Sequence, residues 1–303
     1  MVSAVGYTIT NFCMRRLADD CDPTWATFNK ELITVVVVGP WLLVRAIRRL
    51  PTWPAIRIIA ALMLVGLVCQ AGANQGVQWA LGVIGLSITI PAIFVVMLTT
   101  SALLGRVFLR ERVSLRSAGA IGLLIVSIPL LTMSAGVASE SVTHSRTPPE
   151  TVTTVLAVAA ACFAGFVYAV LTTAIRHATR TAHVSAVVFV ITGMAMVSLG
   201  PLSVYRLGLE KLVNTPPEQF GWMVAAGSFN LIAFLAISKG LEMTTVVHAN
   251  VLNASQVAMA VVGGWIFFRE SMNLWLVLGV VLTILGIILI HRPADDEAVD
   301  QHA

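Results

Sequence analysis

Turn residues and charge clusters divide the chain into about ten apolar segments, each near the roughly 20 residues a helix needs to cross a bilayer. They run over residues 1–17, 24–44, 55–79, 84–109, 114–136, 154–175, 184–205, 220–238, 243–268 and 273–291. "TIPAIFVVMLTTSALLGRVF" and "LWLVLGVVLTILGIILI" carry a single charge between them. Composition points the same way. Of 303 residues, 57% are hydrophobic and 11% charged, too little charge to cover a soluble body of this size. The fold class expected is an all-α polytopic membrane protein. A formal net charge of +4 is then no sign of nucleic-acid binding, because the placement of the cations matters more than their sum.

Two of these segments end alike. Residues 105–115 read "GRVFLRERVSL" and residues 264–274 read "GWIFFRESMNL". Both fit Gly-x-x-Phe-x-Arg-Glu-x-x-x-Leu, and the copies lie 159 residues apart (270 − 111). At that offset Gly6 also meets Gly165, and Ser114 meets Asn273. Ser and Asn both cap helix starts, so each motif describes a helix leaving the membrane, a short turn, and a capped re-entry. Arg110, Glu111, Arg269 and Glu270 are assigned to turn structure, where water meets the charges.

The repeat sets the organisation. Residues 1–136 form a first repeat, 137–153 a polar, Pro-containing connector, 154–291 a second repeat, and 292–303 an acidic tail without apolar periodicity. Five spans per repeat is an odd number, so the second copy threads the bilayer upside down relative to the first. With both termini cytoplasmic, twelve of the nineteen Lys and Arg fall on cytoplasmic segments, six on external ones, and Lys30 within a span. The first segment is short by two or three turns against its counterpart, which points to a start upstream of Met1. The four cysteines (Cys13, Cys21, Cys69, Cys162) lack metal-ligand spacing and read as free thiols.

Two five-helix repeats, each closing on an apolar run, a Glu-containing turn and a helix with spaced small residues, resemble the EamA-type branch of the drug/metabolite transporter superfamily. Gly264, Glu270, Gly279 and Gly286 carry the resemblance in the second copy. The first keeps Gly105 and Glu111 but has Ala120 and Ser127 where the second has Gly279 and Gly286. The resemblance implies ten helices as inverted repeats, cytoplasmic termini and a central cavity opened to alternate sides. It also implies a secondary transporter of small organic solutes such as amino acids, metabolites or drugs, exporting them across the plasma (inner) membrane. Inverted repeats supply the mechanism, because the halves can exchange shapes around a midplane site.

Polar groups inside a bilayer need a reason. In "CQAGANQGVQWA" of the third segment, Gln70, Asn74 and Gln78 fall on one helical face and Gly72 and Gly76 on the other. In "HANVLNASQ" of the ninth, Asn250, Asn253 and Gln256 recur every third residue. These stripes are read as cavity lining, with amide bonding between helices as the alternative. Tyr7, Asn11 and Tyr168 are further candidates for substrate contact. Lys30 and Glu31 lie about two turns into the second segment, where each charge costs roughly 2.5–3.5 kcal/mol at a bilayer centre. Neighbours in a helix diverge by about 100°, so the two are expected to be poor partners. Lys30 matches a basic position of the family and is expected to bind an anionic group. Glu31 is the candidate proton carrier; His248 is a weaker one.

Among enzyme signatures, there is no His-Glu-x-x-His, nucleophile elbow or phosphate-binding loop, and no cofactor or metal site is expected. A scaffold or lipid translocator of the same fold is the alternative to a transporter, and a membrane-embedded enzyme a weaker one. The expected partners are a small-molecule substrate and lipid, and the Gly-bearing tenth segment leaves homodimerisation open.

Overall fold

The computed structural model describes residues 1–50, 52–109, 115–142 and 151–291. Arg110, Glu111, residues 143–150 of the connector and the acidic tail lie outside them. Every regular element among the described residues is helical. The first half comprises α1 (Val2–Leu17), α2 (Pro23–Ile47), α3 (Ile56–Val68), α4 (Asn74–Ile84), α5 (Leu86–Leu109) and α6 (Leu115–Val142). A π-turn over Cys69–Ala73 joins α3 to α4 as one rod. The second half comprises α7 (Thr151–Thr179), α8 (Val184–Leu207), the short α9 (Leu209–Val213), α10 (Pro217–Met243), α11 (Val246–Asn253), α12 (Gln256–Phe268) and α13 (Leu274–His291).

Local chemistry sets the boundaries. Asp22 caps α2, its carboxylate accepting from the Thr24 and Trp25 N–H groups, and Pro23 takes the first turn, where no donor is needed. The α8 cap is His183, whose ring nitrogen accepts from the Ser185 N–H. Among the described residues, six helices are long and apolar enough to cross a membrane: Ile56–Ile84, Leu86–Leu104, Thr151–Thr179, Val184–Leu207, Pro217–Met243 and Val246–Phe268. Parts of α6 and α13 are apolar but shorter. The α1 helix has only 16 residues, and α2 carries Lys30 and Glu31 within its apolar stretch.

The two halves exchange places in the packing. The first helix of each half packs on the third rod of the other, α1 on α10 and α7 on α3–α4, while α2 crosses α8 and α6 lies along α13. Two crossings show the pseudo-two-fold axis atom by atom. A Cβ on Gly39 would meet the Phe189 ring at 3.4 Å, and one on Gly200 would meet the Phe28 ring at 3.1 Å. Gly66 lies against Ile191 and Met194, as Gly227 lies against Lys30 and Ile33. Each pair of equivalents (28 and 189, 39 and 200, 30 and 191, 66 and 227) differs by 161.

One offset therefore does not serve the whole chain, and the pairing of Gly6 with Gly165 at 159 is corrected. Helices one and two register at 161, bringing Tyr7 onto Tyr168 and Arg15 onto Arg176. The π-turn inserts one residue into the first half, so beyond it Asn74 matches Phe234 and the start of α5 matches that of α11, at 160. The second step falls at the break between α11 and α12. There Ala254 N–H donates back to Asn250 and Val251, and Val257 N–H donates to Ala254. Those three-residue returns rise faster per residue, so the second half needs one residue fewer and the register becomes 159. Two helix irregularities account for the whole drift.

Candidate functional site

A cavity of about 150 Å³ lies between the two halves. Tyr7 and Asn11 reach it from α1, Lys30 and Glu31 from α2, Asn74 and Gln78 from α4, and Tyr168 from α7. Asn250 and Asn253 reach it from α11 and Gln256 from α12. All ten candidates of the sequence thus stand around one hollow. His248 does not; it is exposed at the start of α11.

The pseudo-symmetry decides which faces meet there. On α1 the cavity side is Tyr7, Thr10, Asn11 and Met14; on α7 it is Tyr168, Leu171, Thr172 and Ile175, each 161 further on. The side chains at equivalent places differ. Asn250 and Asn253 stand where α5 presents Ile90 and Ile93, and Lys30 and Glu31 where α8 has Ile191 and Thr192. The result is a polar wall facing an apolar one that also includes Phe94 and Met97. Such a division suits solutes with a polar group on an apolar body.

Lys30 Nζ lies 3.1 Å from Glu31 Oε1, with both side chains almost fully buried. This corrects the expectation that the two chain neighbours would be poor partners: the four-carbon lysine stem spans the angular gap between them. The second Glu31 oxygen accepts from Asn230 Nδ2 at 3.5 Å. Removing either charge would strand the other in a site with little water.

Amide bonding orders the rest of the polar wall. The Tyr168 hydroxyl donates to Asn74 Oδ1 at 2.6 Å, and Asn74 Nδ2 donates to Gln70 Oε1 at 2.6 Å, a chain from α7 into the π-turn. Gln78 Nε2 donates to the Met14 carbonyl at 2.9 Å. Asn11 Nδ2 donates to Gln256 Oε1 at 3.4 Å. Asn250 Nδ2 donates to Ser101 and Thr172, and its Oδ1, like that of Asn253, is buried without a partner among the described residues. Part of the polar wall is therefore helix-to-helix bonding, and part is unspent hydrogen-bonding capacity.

Gln70, read from sequence as part of a cavity-lining stripe, also lines the cavity, as do Asn230 and Thr172, which stood outside the sequence candidates. Asn230 is one amide in "SFNLIAFLAIS", and it equates with Gln70 at the 160 register. The single 159 offset hid that match.

Glu270 departs from the picture of a turn charge held by water. Arg269 is exposed, in the left-handed region, but the Glu270 side chain is buried. It accepts from the Leu86 and Ser87 N–H groups at 2.7 and 2.8 Å and from Arg15 Nε at 3.3 Å. Arg15 also lies over the Phe268 ring.

The profile of the EamA-like transporter family matches residues 1–133 and 155–292. No curated protein matches the chain. A solved structure, described only as "Crystal structure of protein", is similar over 96% of this chain and 96% of its own, with 14% identity and a TM-score of 0.63. At that identity the likeness is one of fold.

Proposed function

The chain belongs to the EamA-like transporter family and is an integral membrane protein, and we propose that it moves small organic solutes by alternating access through the cavity between its halves. The observation that carries this reading is the shared enclosure: both halves line one hollow with residues related by the pseudo-two-fold axis. If the halves exchange shapes, the same residues face the opposite side of the membrane.

Within that reading, Tyr7, Asn11, Asn74, Gln78, Tyr168, Asn250, Asn253 and Gln256 contact substrate, and Lys30 is the anion-binding residue. Lys30 can hold the Glu31 carboxylate or an anionic group of the solute, and only one of them closely at a time. A solute anion on Lys30 frees Glu31 to carry a proton, which couples the two movements. The family supports export as the direction, and the cation bias of the loops supports cytoplasmic termini in the plasma (inner) membrane.

The test uses cysteines at Asn74 and Asn253 in a background without native cysteines. A membrane-impermeant maleimide should reach both, from faces that change when transported solute is present. Cysteines that stay blocked under every condition would favour a scaffold that transports nothing.

A further inference from the structure

At the end of the molecule where α1 stops, the cavity wall runs out at Met14 and Leu81. Arg15 follows Met14 directly. Four residues past Leu81, Gly85 takes φ +75° and turns the chain into α5. The Glu270 carboxylate ties these pieces together through Arg15 and the first two N–H groups of α5. One side chain of the second half thus gathers the ends of α1, α5 and α12. Its surroundings are shaped to it: a Cβ on Gly85 would stand 2.5 Å from Glu270 Oε1, and one on Gly264 would stand 2.5 Å from Oε2.

Among the described residues, which do not include Glu111, the repeat counterpart of Glu270, the other end is built differently. Arg176 holds on α7 the place of Arg15 (176 − 15 = 161), yet its Nε and Nη1 are buried without a partner among the described residues. The start of α11 is capped by its own Thr245, whose hydroxyl accepts from the His248 N–H at 3.2 Å. That is a neutral cap within one half, where Glu270 makes a charged one across both. Hydrogen bonds to an ionised group are roughly twice as strong as neutral ones.

We propose that Glu270 is a latch that shuts the cavity at the α1 end, and that its release from α5 opens that face. The inference rests on the alternating-access reading above. Nothing covalent holds the latch. Water can replace the guanidinium and both N–H groups once the helices part, so the closure can be remade in each cycle.

Two reporters read it in proteoliposomes, in a background with Cys13, Cys21, Cys69 and Cys162 replaced: Leu81→Cys near the latch and Ile175→Cys at the far end. A membrane-impermeant maleimide added from the face where α1 ends should label Leu81→Cys slowly. Glu270→Gln should raise that rate roughly tenfold or more, about the worth of one charged hydrogen bond, and should slow Ile175→Cys from the opposite face. Should Glu270→Gln fail to fold, Arg15→Gln leaves the α5 cap in place and should give a smaller rise of the same sign. An unchanged Leu81→Cys rate, with Ile175→Cys still reactive, overturns the latch and leaves alternating access standing. Reporters inert in every folded variant overturn both.

Discussion

Lys30 Nζ and Glu31 Oε1 stand 3.1 Å apart, an ion pair between chain neighbours set in the wall of a cavity inside a membrane protein. Breaking a buried pair from one side costs about 3–5 kcal/mol, because the surviving charge has lost its partner. Lys30→Gln and Glu31→Gln should each lower the melting temperature in detergent, and the double variant should melt above both. In proteoliposomes Glu31→Gln should abolish solute uptake driven by a pH gradient. Unchanged proton dependence would remove Glu31 from the coupling scheme.

The two Gly–Phe crossings differ in tolerance from crossings against backbone. A Cβ on Gly165 would overlap the Ile93 carbonyl oxygen, whereas one on Gly39 meets a phenyl edge at an ordinary 3.4 Å. Gly165→Ala should destabilise by about 1–3 kcal/mol or more, since α7 and α5 must separate, and Gly39→Ala should be near neutral. Thermal unfolding of the purified variants checks the contrast.

Tyr168→Phe removes the hydroxyl that donates to Asn74 Oδ1 and leaves a carboxamide oxygen in the cavity wall without its bond. The cost should be about 1–3 kcal/mol if the oxygen stays buried. On the proposed function, solute affinity should fall more in Tyr168→Phe than in Tyr7→Phe, because among the described residues no Tyr7 hydroxyl bond orders a neighbouring amide. Equilibrium binding of a transported solute to both variants measures the difference.

His183 gives a pH dependence whose sign follows from its cap. Burial first, and the nearby Arg45 cation next, hold its imidazole below the ordinary value of 6.5. Between that lowered value and about 6.5 the unfolded chain binds a proton that the folded one refuses, so stability rises with pH across this window. It is complete above the ordinary value and declines as the pH falls through the lowered one. His183→Asn, which can cap α8 without titrating, should flatten the acid side of a plot of melting temperature against pH.

Much of this architecture was legible from apolar length, odd span number and a repeated Arg-Glu turn, none of which needs tertiary detail. The amide stripes around Asn74 and Asn253 were legible because polar groups spaced to one helical face are rare in apolar runs. Glu270 was misread because sequence gives its turn but not the α5 start that lies across from it. Asn230 was missed because the tightened return between α11 and α12 shifts the register by one residue from 160 to 159, as the π-turn shifts it from 161 to 160. Neither leaves a mark in composition. The Lys30–Glu31 contact depends on how a long stem bends, which helical periodicity does not describe.

The unlike side chains at equivalent backbone places carry an energetic consequence. Were the halves identical, a structure and its inverted image would be equally populated. Here one half contributes Lys30 and Glu31 and the other Ile191 and Thr192 at the same depth, so swapping shapes would move a charged pair and an uncharged pair into exchanged surroundings. On the proposed alternating access, the resting population leans toward one face, and the sequence difference between two duplicated arms sets how steep that tilt is.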